Sequence, residues 1–288
     1  MHNQRLQFSY EFFPPRTPTM VHRLWRTVGQ LERLDPKFFS MTYGALGSAR
    51  QISIDAAIAM HKESPVPVAA HLTCANATRD ETNAIAQKFH HAGIDRIVAL
   101  RGDSDAEKVS ANNYQDATEL VEGLKSVADF DISVAAYPEI HPHAKSAAHD
   151  LQSLKDKLDA GANRAITQYF FDADCFLRFR DSAIKIGIEK PIVPGILPIH
   201  DFEKVRTFSK RCGTSLPDSY EELFEKSKHD QMAQYNLSVD LAVELCERLA
   251  REGVNQFHLY TLNQTDMCLD ISLALGANVT SLKSLNAA

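Results

Sequence analysis

The sequence predicts an α/β fold, and within that class a single (β/α)8 barrel that takes up residues 1–288. Eight short apolar runs alternate with amphipathic stretches whose apolar residues keep helical spacing. The apolar runs are nearly continuous, which is typical of parallel strands that are buried on both faces. None of the 12 glycines falls in a G-x-G-x-x-G pattern, so a doubly wound dinucleotide-binding sheet is the less favoured alternative.

The predicted strands and helices follow one another without a long linker. Strands are expected at 8–13, 38–43, 66–73, 96–100, 132–137, 164–171, 192–197 and 256–262. Helices are expected at 19–34, 53–63, about 76–92, 114–128, 146–160, 173–186 and 201–210, with a short helix at the end. A helical insertion at about 213–251 precedes the last strand and includes a long helix at 231–251.

The composition is that of a globular protein with ample material for a large core, since 44% of the residues are hydrophobic and 24% are charged. The formal net charge of -6 argues against nucleic acid or an anionic membrane as the main partner. No apolar run approaches the roughly 20 residues that span a bilayer, and the N-terminus lacks a signal peptide's apolar segment. The five cysteines never form a C-x-x-C pair, which fits a reducing cytoplasm and no zinc site.

The stretch from Phe8 to Pro15 sets one carboxylate, Glu11, among aromatic residues at the end of the first predicted strand. Two prolines stop this strand, because neither has an N–H to donate to a neighbouring strand. Burial between Phe12 and Phe13 would disfavour the charged form of a carboxylate, which makes Glu11 a candidate acid. The alternative is a loop carboxylate in an N-terminal salt bridge.

Polar or aromatic residues follow nearly every predicted strand at the point where its apolar run ends. In a (β/α)8 barrel the carboxyl ends of the strands surround the active site, so these residues should meet at one rim. The predicted rim consists of Glu11, Thr42-Tyr43-Gly44, His71-Leu72-Thr73, Arg101-Gly102-Asp103, Tyr137-Pro138-Glu139, Gln168-Tyr169, Gly195-Ile196-Leu197-Pro198 and Thr261-Leu262-Asn263.

The turn Arg101-Gly102-Asp103 is the most specific of these segments. Gly102 would let the backbone approach a flat ligand closely, and Arg101 offers a planar fork of donors for a phosphate or a ring edge. Asp103 brings a negative charge to the same place. The alternative is an Arg–Asp pair that closes a surface turn.

Two further groups also have two interpretations. His141-Pro142-His143 could form a metal pair, but Glu139 is the only acid next to it, and we expect no metal. Asp150 and Lys157 lie seven residues apart on one face of a predicted helix. They could contact the ribose and phosphate of a ligand, or they could belong to a solvated face.

A family resemblance rests on motifs that occur in order over essentially the whole chain. They are 8–15 (Phe8-Ser9-Tyr10-Glu11-Phe12-Phe13-Pro14-Pro15), Met41-Thr42-Tyr43-Gly44, His71-Leu72-Thr73-Cys74, Leu100-Arg101-Gly102-Asp103, Ala135-Ala136-Tyr137-Pro138-Glu139, 159–172, Pro194-Gly195-Ile196-Leu197-Pro198 and Phe257-His258-Leu259-Tyr260-Thr261-Leu262-Asn263. In these motifs the chain resembles the methylenetetrahydrofolate reductases. The resemblance implies a (β/α)8 barrel with non-covalent FAD that reduces 5,10-methylenetetrahydrofolate to 5-methyltetrahydrofolate with NADH by a ping-pong mechanism. It also implies a cytoplasmic homo-oligomer, usually a tetramer, without a regulatory domain.

The resemblance also assigns residues by position. Glu11 matches the general acid of the family, and Asp103 matches the carboxylate beside the flavin and folate rings. Gln168 and Phe208 match positions where NADH and folate take turns on the flavin. The positions that match FAD contacts are Thr42, Tyr43, Ala45, His71, Arg101, Gly102, Asp103, Tyr114, Tyr137, His141, Ala144, Asp150 and Lys157.

Three positions depart from the family pattern. Asp156 stands where a basic residue facing FAD is usual, Lys204 where a glutamine near the folate is usual, and Gln264 where an arginine is usual. Lys204 and Gln264 are retained as candidate substrate-binding residues. Their departure affects the expected handling of the aminobenzoyl-glutamate tail and not the chemistry at the ring.

The implied reaction explains why an acid and a second carboxylate are needed. A one-carbon unit that bridges two nitrogens must open to an iminium before it accepts a hydride, and the departing nitrogen needs a proton. Glu11 would supply that proton, and the charge of Asp103 would stabilise the cationic iminium.

Two other functions stay open at this point. One is a flavin barrel that works only as a subunit of an electron-transfer complex, and the other is a metal-dependent lyase that uses His71, Glu139 and His141.

Overall fold

The computed structural model describes residues 5–44, 48–102 and 111–279. Eight parallel strands form a closed barrel in chain order, and the last strand pairs with the first. The strands are β1 (Gln7–Phe12), β2 (Phe39–Met41), β3 (Val68–Thr73), β4 (Arg96–Leu100), β5 (Asp131–Ala136), β6 (Arg164–Tyr169), β7 (Ile192–Ile196) and β8 (Gln256–Tyr260). The predicted (β/α)8 barrel is confirmed, and the doubly wound alternative is wrong.

Ten α-helices lie in the described part of the chain. They are α1 (Pro18–Leu31), α2 (Ser48–Glu63), α3 (Arg79–His91), α4 (Ala117–Val127), α5 (Ala147–Asp159), α6 (Ala173–Lys185), α7 (Phe202–Cys212), α8 (Asp218–Lys226), α9 (Gln231–Arg251) and α10 (Asp266–Ala274). A short 3-10 helix at Glu32–Leu34 extends α1. Between β7 and β8 the chain forms three helices, α7, α8 and α9, in place of the usual one.

Most helix starts are fixed by side chains that accept hydrogen bonds from free backbone N–H groups. Thr78 and Glu81 form a capping box at the start of α3, in which each side chain accepts from the other residue's backbone. Asp116 accepts from two backbone N–H groups, and for this reason α4 begins after it and not at the predicted residue 114. Further side-chain caps are Thr17, Ser146, Asp172, Asp201 and Asp230.

The alternation of side chains along β1 places aromatic residues and the carboxylate on opposite faces. Tyr10 points outward, where its hydroxyl contacts Ser272 Oγ of α10 at 2.7 Å. Phe12 also points outward and packs edge-on against Phe39, with ring centroids 5.1 Å apart. Glu11 points into the barrel, so the expectation that Phe12 walls this carboxylate is wrong.

An apolar layer closes the middle of the barrel. It consists of buried residues from the interior faces of different strands, namely Phe38, Ala69, Val98, Ile166 and Val193. Side chains of this kind fill a barrel of eight strands, so the interior is packed and has no continuous pore. A ligand can therefore be held only above this layer, at an end of the barrel.

Candidate active site

A cavity of about 860 Å³ opens at the carboxyl ends of the strands, where the sequence predicts a site. This volume lies within the roughly 300–1,000 Å³ that is typical of small-molecule sites. Apolar atoms form most of the lining. The predicted site residues that line the cavity are Glu11, Thr42, Tyr43, His71, Tyr137, Gln168, Lys204 and Phe208.

The Glu11 carboxylate lies between two imidazole rings. Its Oε2 atom is 3.4 Å from His71 Nε2 and 3.6 Å from His258 Nε2. The Glu11 side chain is 17% exposed and that of His258 is 1% exposed, so the carboxylate marks the boundary between the cavity and the barrel interior. Burial lowers the pKa of His71, and the negative charge of Glu11 opposes this shift. Glu11 thus faces a ligand space on one side and contacts imidazoles on the other.

His258 belongs to this site, although the sequence predicts it only as part of a motif. Its Nδ1 atom is 2.7 Å from Ser9 Oγ, and its Nε2 atom is 3.4 Å from Ser40 Oγ. The ring stacks on Phe38 at a centroid distance of 5.7 Å. The period of two along β1 puts Ser9 on the same face as Glu11. A buried histidine in an otherwise apolar strand was the available signal.

The end of β1 is tied to the loop that follows β8. Thr261 donates its backbone N–H and its hydroxyl to the Glu11 carbonyl, at 3.1 and 2.6 Å. Asn263 accepts from the Phe13 N–H at 2.9 Å and donates to the Phe13 carbonyl at 2.8 Å. Leu262 and Asn263 have φ angles of 49° and 51°, an uncommon left-handed conformation that these hydrogen bonds hold in place. The backbone that carries Glu11 is therefore fixed on both sides.

A second group of polar residues, which we call the outer polar cluster, consists of Arg101, His141, Asp150 and Lys157. The Asp150 carboxylate accepts from the His141 N–H at 2.8 Å, and Lys157 Nζ donates to the Ala135 carbonyl of β5 at 2.6 Å. Burial lowers the pKa of Lys157 to about 8. Burial also lowers the pKa of His141, which the charge of Asp150 opposes and that of Arg101 reinforces. The cluster thus combines a guanidinium group, a lysine amine, a carboxylate and an imidazole.

Tyr137 connects the outer polar cluster with the cavity. It lines the cavity, and its ring packs edge-on against His141 at a centroid distance of 4.5 Å. Ala144 lies in the same segment and donates its N–H to the His141 carbonyl at 2.8 Å. The predicted residues that follow β5 and those on α5 therefore form one continuous group beside the cavity.

Gly102 occupies a position where only glycine fits. Its φ angle is 79°, and a Cβ atom there would lie 2.9 Å from Thr73 Cβ. Both the backbone conformation and the close approach to β3 thus require the absence of a side chain. Asp103 and Ala45, which are predicted from the resemblance, lie outside the described residues.

Tyr114 packs between helices and does not line the cavity. Its hydroxyl donates to Asn83 Oδ1 at 2.9 Å, and the Arg79 guanidinium lies 4.8 Å from the ring centroid. A Cβ atom on Gly123 would come within 2.0 Å of the Tyr114 hydroxyl, which shows how closely α4 approaches this side chain. In this position Tyr114 supports the packing of α3 and α4.

The opposite side of the cavity is formed by β6 and α7. Gln168 projects from β6, and its Oε1 atom accepts from the Tyr169 N–H at 3.1 Å. Phe208 is 52% exposed at the cavity mouth and stacks on Tyr169 at a centroid distance of 6.1 Å. Lys204 lies one helical turn before Phe208, and its Nζ atom is 2.8 Å from Asp201 Oδ2. An exposed ring and an exposed ammonium group thus share one face of α7.

Gln264 and Asp156 do not line the cavity. Gln264 faces a separate pocket of about 830 Å³, whose lining includes residues of α7, α8, α9 and α10. Asp156 is exposed on α5 and accepts from Gln152 Nε2 at 2.7 Å.

The residues of the alternative metal site are also dispersed. His71 lines the cavity, Glu139 accepts from the Ser215 N–H at 3.0 Å, and His141 packs against Tyr137. Within the described residues, no three histidine, cysteine, aspartate or glutamate side chains are grouped as metal ligands.

Across the same ranges, no helix is both long and apolar enough to cross a membrane.

The closed parallel barrel, with acid, imidazole and amide groups in an apolar cavity at its carboxyl end, defines a barrel enzyme that acts on a small molecule. A sequence model of the methylenetetrahydrofolate reductase family matches residues 1–276. The 5,10-methylenetetrahydrofolate reductase of Salmonella typhimurium is 44% identical over 272 residues, which cover 94% of this chain and 91% of that protein. The chain therefore belongs to the methylenetetrahydrofolate reductase family, and it is an enzyme with that activity.

Two further similarities extend this comparison. The probable methylenetetrahydrofolate reductase (NADH) of Oryza sativa subsp. japonica is 33% identical over 287 residues, which cover 94% of this chain and 48% of that protein. A solved structure of a Clostridium thermocellum protein that binds two copies of 5-methyl-5,6,7,8-tetrahydrofolic acid matches with a TM-score of 0.64. It is 16% identical, and the match covers 94% of this chain and 95% of that one, so it shows a shared fold.

Proposed function

We propose that the enzyme reduces 5,10-methylenetetrahydrofolate to 5-methyltetrahydrofolate with NADH, and that the two substrates react in turn, by a ping-pong mechanism, at a non-covalent FAD in the same cavity. One observation carries this proposal: among the described residues that line the cavity, Glu11 is the only one with a carboxyl group. Glu11 would supply the acid that a folate bound in this cavity needs. The name of the rice relative specifies NADH, which supports the choice of donor.

The apolar lining of the cavity and the charges beside it support the binding of a flavin dinucleotide. The apolar ends of β4 and β5 offer a wall for a flat ring, next to Thr42, Tyr43, His71 and Tyr137. The outer polar cluster offers the guanidinium and ammonium groups that suit a pyrophosphate. When bound, FAD supplies the hydride transfer between the two substrates. The chain's own residues would hold the ring in the cavity and the phosphates beside it.

Glu11 would donate the proton that opens the substrate. The departing nitrogen of the one-carbon bridge leaves as a neutral amine only if it is protonated, so an acid must lie within hydrogen-bond reach. Glu11 projects into the cavity from a backbone that Thr261 and Asn263 hold fixed. His71 and His258 would position the carboxyl group toward the substrate.

The substrates would bind on the side of β6 and α7. Phe208 is an exposed ring at the mouth, and such a side chain offers a stacking surface for a nicotinamide or a pterin. Gln168 presents its amide to the cavity, with the carbonyl oxygen already bonded to the Tyr169 N–H. Its amide N–H groups would then be available to donate to a ligand. Lys204, which also lines the cavity, would attract the carboxylates of the folate tail.

An anaerobic visible spectrum of the purified enzyme tests the proposal. We expect a flavin absorption band that bleaches when NADH is added and returns when methylenetetrahydrofolate follows. A band that NADH does not bleach would contradict the choice of donor, and repetition with NADPH would identify the alternative. A protein that is colourless and fails to take up added FAD would contradict the flavin mechanism.

A further inference from the structure

An irregularity in the pairing of the barrel strands includes Gln168. Strands β6 and β7 pair at Ile166 with Val193 and next at Tyr169 with Gly195. Between these pairs β6 advances by three residues while β7 advances by two, so β6 contains one extra residue. A bulge of this kind bends a strand and changes the direction in which a side chain points, and bulges are common beside active sites. The residues inside the irregular step are Thr167 and Gln168.

Three hydrogen bonds at the bulge involve side chains. The Thr167 hydroxyl oxygen accepts from the Gly195 N–H at 2.9 Å. The Tyr260 hydroxyl donates to the Thr167 carbonyl at 2.7 Å. Gln168 Oε1 accepts from the Tyr169 N–H at 3.1 Å. The backbone groups at the bulge are thus satisfied across three strands, β6, β7 and β8.

Gly195 makes room for this arrangement. A Cβ atom at Gly195 would lie 2.2 Å from the Thr167 carbonyl oxygen and 2.8 Å from the Tyr260 hydroxyl oxygen. A side chain there would push the bonded atoms apart, so the hydrogen bond between Tyr260 and Thr167 requires glycine at residue 195. Gly195 on β7, Tyr260 on β8 and the bulge on β6 therefore depend on one another.

We propose that Tyr260 is a positioning residue for the reaction, because its hydroxyl holds the Thr167–Gln168 bulge and thereby directs the Gln168 amide at the substrate. This inference rests on the proposed binding role of Gln168. Thr167 is completely buried, so loss of the Tyr260 hydroxyl would remove a hydrogen bond from a carbonyl that water does not reach, and the bulge would relax. Burial holds the pKa of Tyr260 well above its usual value, which keeps the hydroxyl a donor at every working pH.

Tyr260→Phe removes the hydroxyl and keeps the ring. We expect the kcat/KM for methylenetetrahydrofolate to fall about 10- to 100-fold, the scale of loss when a substrate contact is displaced. Tyr220→Phe is the matched control, because the Tyr220 hydroxyl also donates to a backbone carbonyl, that of Phe171, but outside the cavity. The control should keep the wild-type kcat/KM, even if its thermal stability falls as much as that of Tyr260→Phe.

A double-mutant cycle separates positioning from general loosening of the fold. In a Gln168→Ala background, Tyr260→Phe should lower kcat/KM by less than about threefold, because the group that it positions is already absent. Equal losses in both backgrounds would show that Tyr260 acts independently of Gln168 and would overturn the inference. If Tyr260→Phe does not fold, Thr167→Ala breaks the hydrogen bond from the Gly195 N–H to the Thr167 hydroxyl and should give the same coupling with Gln168→Ala.

The same kcat/KM measurements distinguish a wrong binding role of Gln168 from a wrong positioning role of Tyr260. If Gln168→Ala by itself leaves kcat/KM unchanged, the binding role of Gln168 is wrong, and the inference is wrong with it. If Gln168→Ala is impaired but shows no coupling with Tyr260→Phe, the binding role of Gln168 stands and only the inference fails.

Discussion

Glu11 lies at the edge of an apolar cavity and has polar groups on only one side of its carboxylate. His71 and His258 contact its carboxylate from the barrel interior, while the other side faces the ligand space. A carboxylate in an apolar environment is costly to desolvate, and such a cost is typically retained where a carboxyl group takes part in chemistry. Glu11 is thus a partly buried carboxyl group that a substrate in the cavity can reach, and a general acid requires such access.

Glu11→Gln should separate the two half-reactions. The amide has nearly the same shape but cannot donate a proton as an acid, so reduction of methylenetetrahydrofolate should slow by about 100-fold or more. FAD binding and reduction by NADH should persist, because neither needs this proton. Stopped-flow traces of the two half-reactions measure this, with Glu139→Gln, a carboxylate bonded to the Ser215 N–H outside the cavity, as the control. Normal reoxidation by methylenetetrahydrofolate in Glu11→Gln would refute the assignment.

Lys204 is the only residue with an ammonium or guanidinium group among the described residues that line the cavity. Lys204→Gln should raise the KM for methylenetetrahydrofolate about two- to fivefold, the scale of an exposed ion pair, and should leave kcat unchanged. Added salt should reduce the difference, because it screens exposed charges. Lys210→Gln, an exposed lysine on the same helix, is the control. A KM that is unaffected by Lys204→Gln would show that the folate carboxylates bind elsewhere.

At the scale of secondary structure, β5 and α5 together hold Lys157 in the outer polar cluster. The Lys157 ammonium group donates to the Ala135 carbonyl in the middle of the cavity wall, and burial lowers its pKa to about 8. A lowered pKa of a lysine means that the folded protein gives up a proton more easily than the unfolded chain does. A bound pyrophosphate would favour the protonated form, so ligand binding and protonation of Lys157 should be coupled.

FAD affinity should therefore depend on pH through Lys157. Below about pH 8 the amine is protonated before FAD binds, and affinity is at its full value. Above about pH 8 binding must take up a proton, so affinity should fall, by at most about tenfold per pH unit for a single proton. Fluorescence titration of the apoprotein between pH 7 and 9.5 measures this. Lys157→Met should flatten the profile, and Lys155→Met, on the same helix, should not. Identical profiles for Lys157→Met and the wild type would contradict the coupling.

The alternation of apolar runs and amphipathic stretches predicts the elements well, but their ends depend on contacts that the pattern does not contain. The sequence predicts that strand β6 extends to residue 171, but it ends at Tyr169, whose carbonyl accepts a hydrogen bond from the Thr214 hydroxyl in the segment after α7. The residues at the rim could be predicted from where the apolar runs end. The bulge beside Gln168 could not, because it depends on Gly195 and Tyr260, which only the closed barrel brings together.

At the scale of the whole molecule, the two ends of the barrel carry different groups of residues. The carboxyl end carries the cavity, and the amino end carries an ion-pair network of Arg96, Asp131 and Arg164, the first residues of β4, β5 and β6. Asp131 Oδ2 is 2.6 Å from Arg96, and Asp131 Oδ1 is 2.7 Å from Arg164. The packed apolar layer lies between the ends, so a change at one end should not reach the other.

Asp131→Asn tests this division. It would leave two partly buried guanidinium groups without their shared carboxylate and should lower the free energy of unfolding by about 1–3 kcal/mol. Urea denaturation measures that loss, and Asp95→Asn, an exposed carboxylate in the same region, should cost much less. The kcat/KM for methylenetetrahydrofolate should stay within about twofold of the wild type, because the ion-pair partners of Asp131 are Arg96 and Arg164 at the amino end and distant sites act independently. A large loss of kcat/KM in an Asp131→Asn variant that is fully folded would show that the two ends are coupled through the barrel.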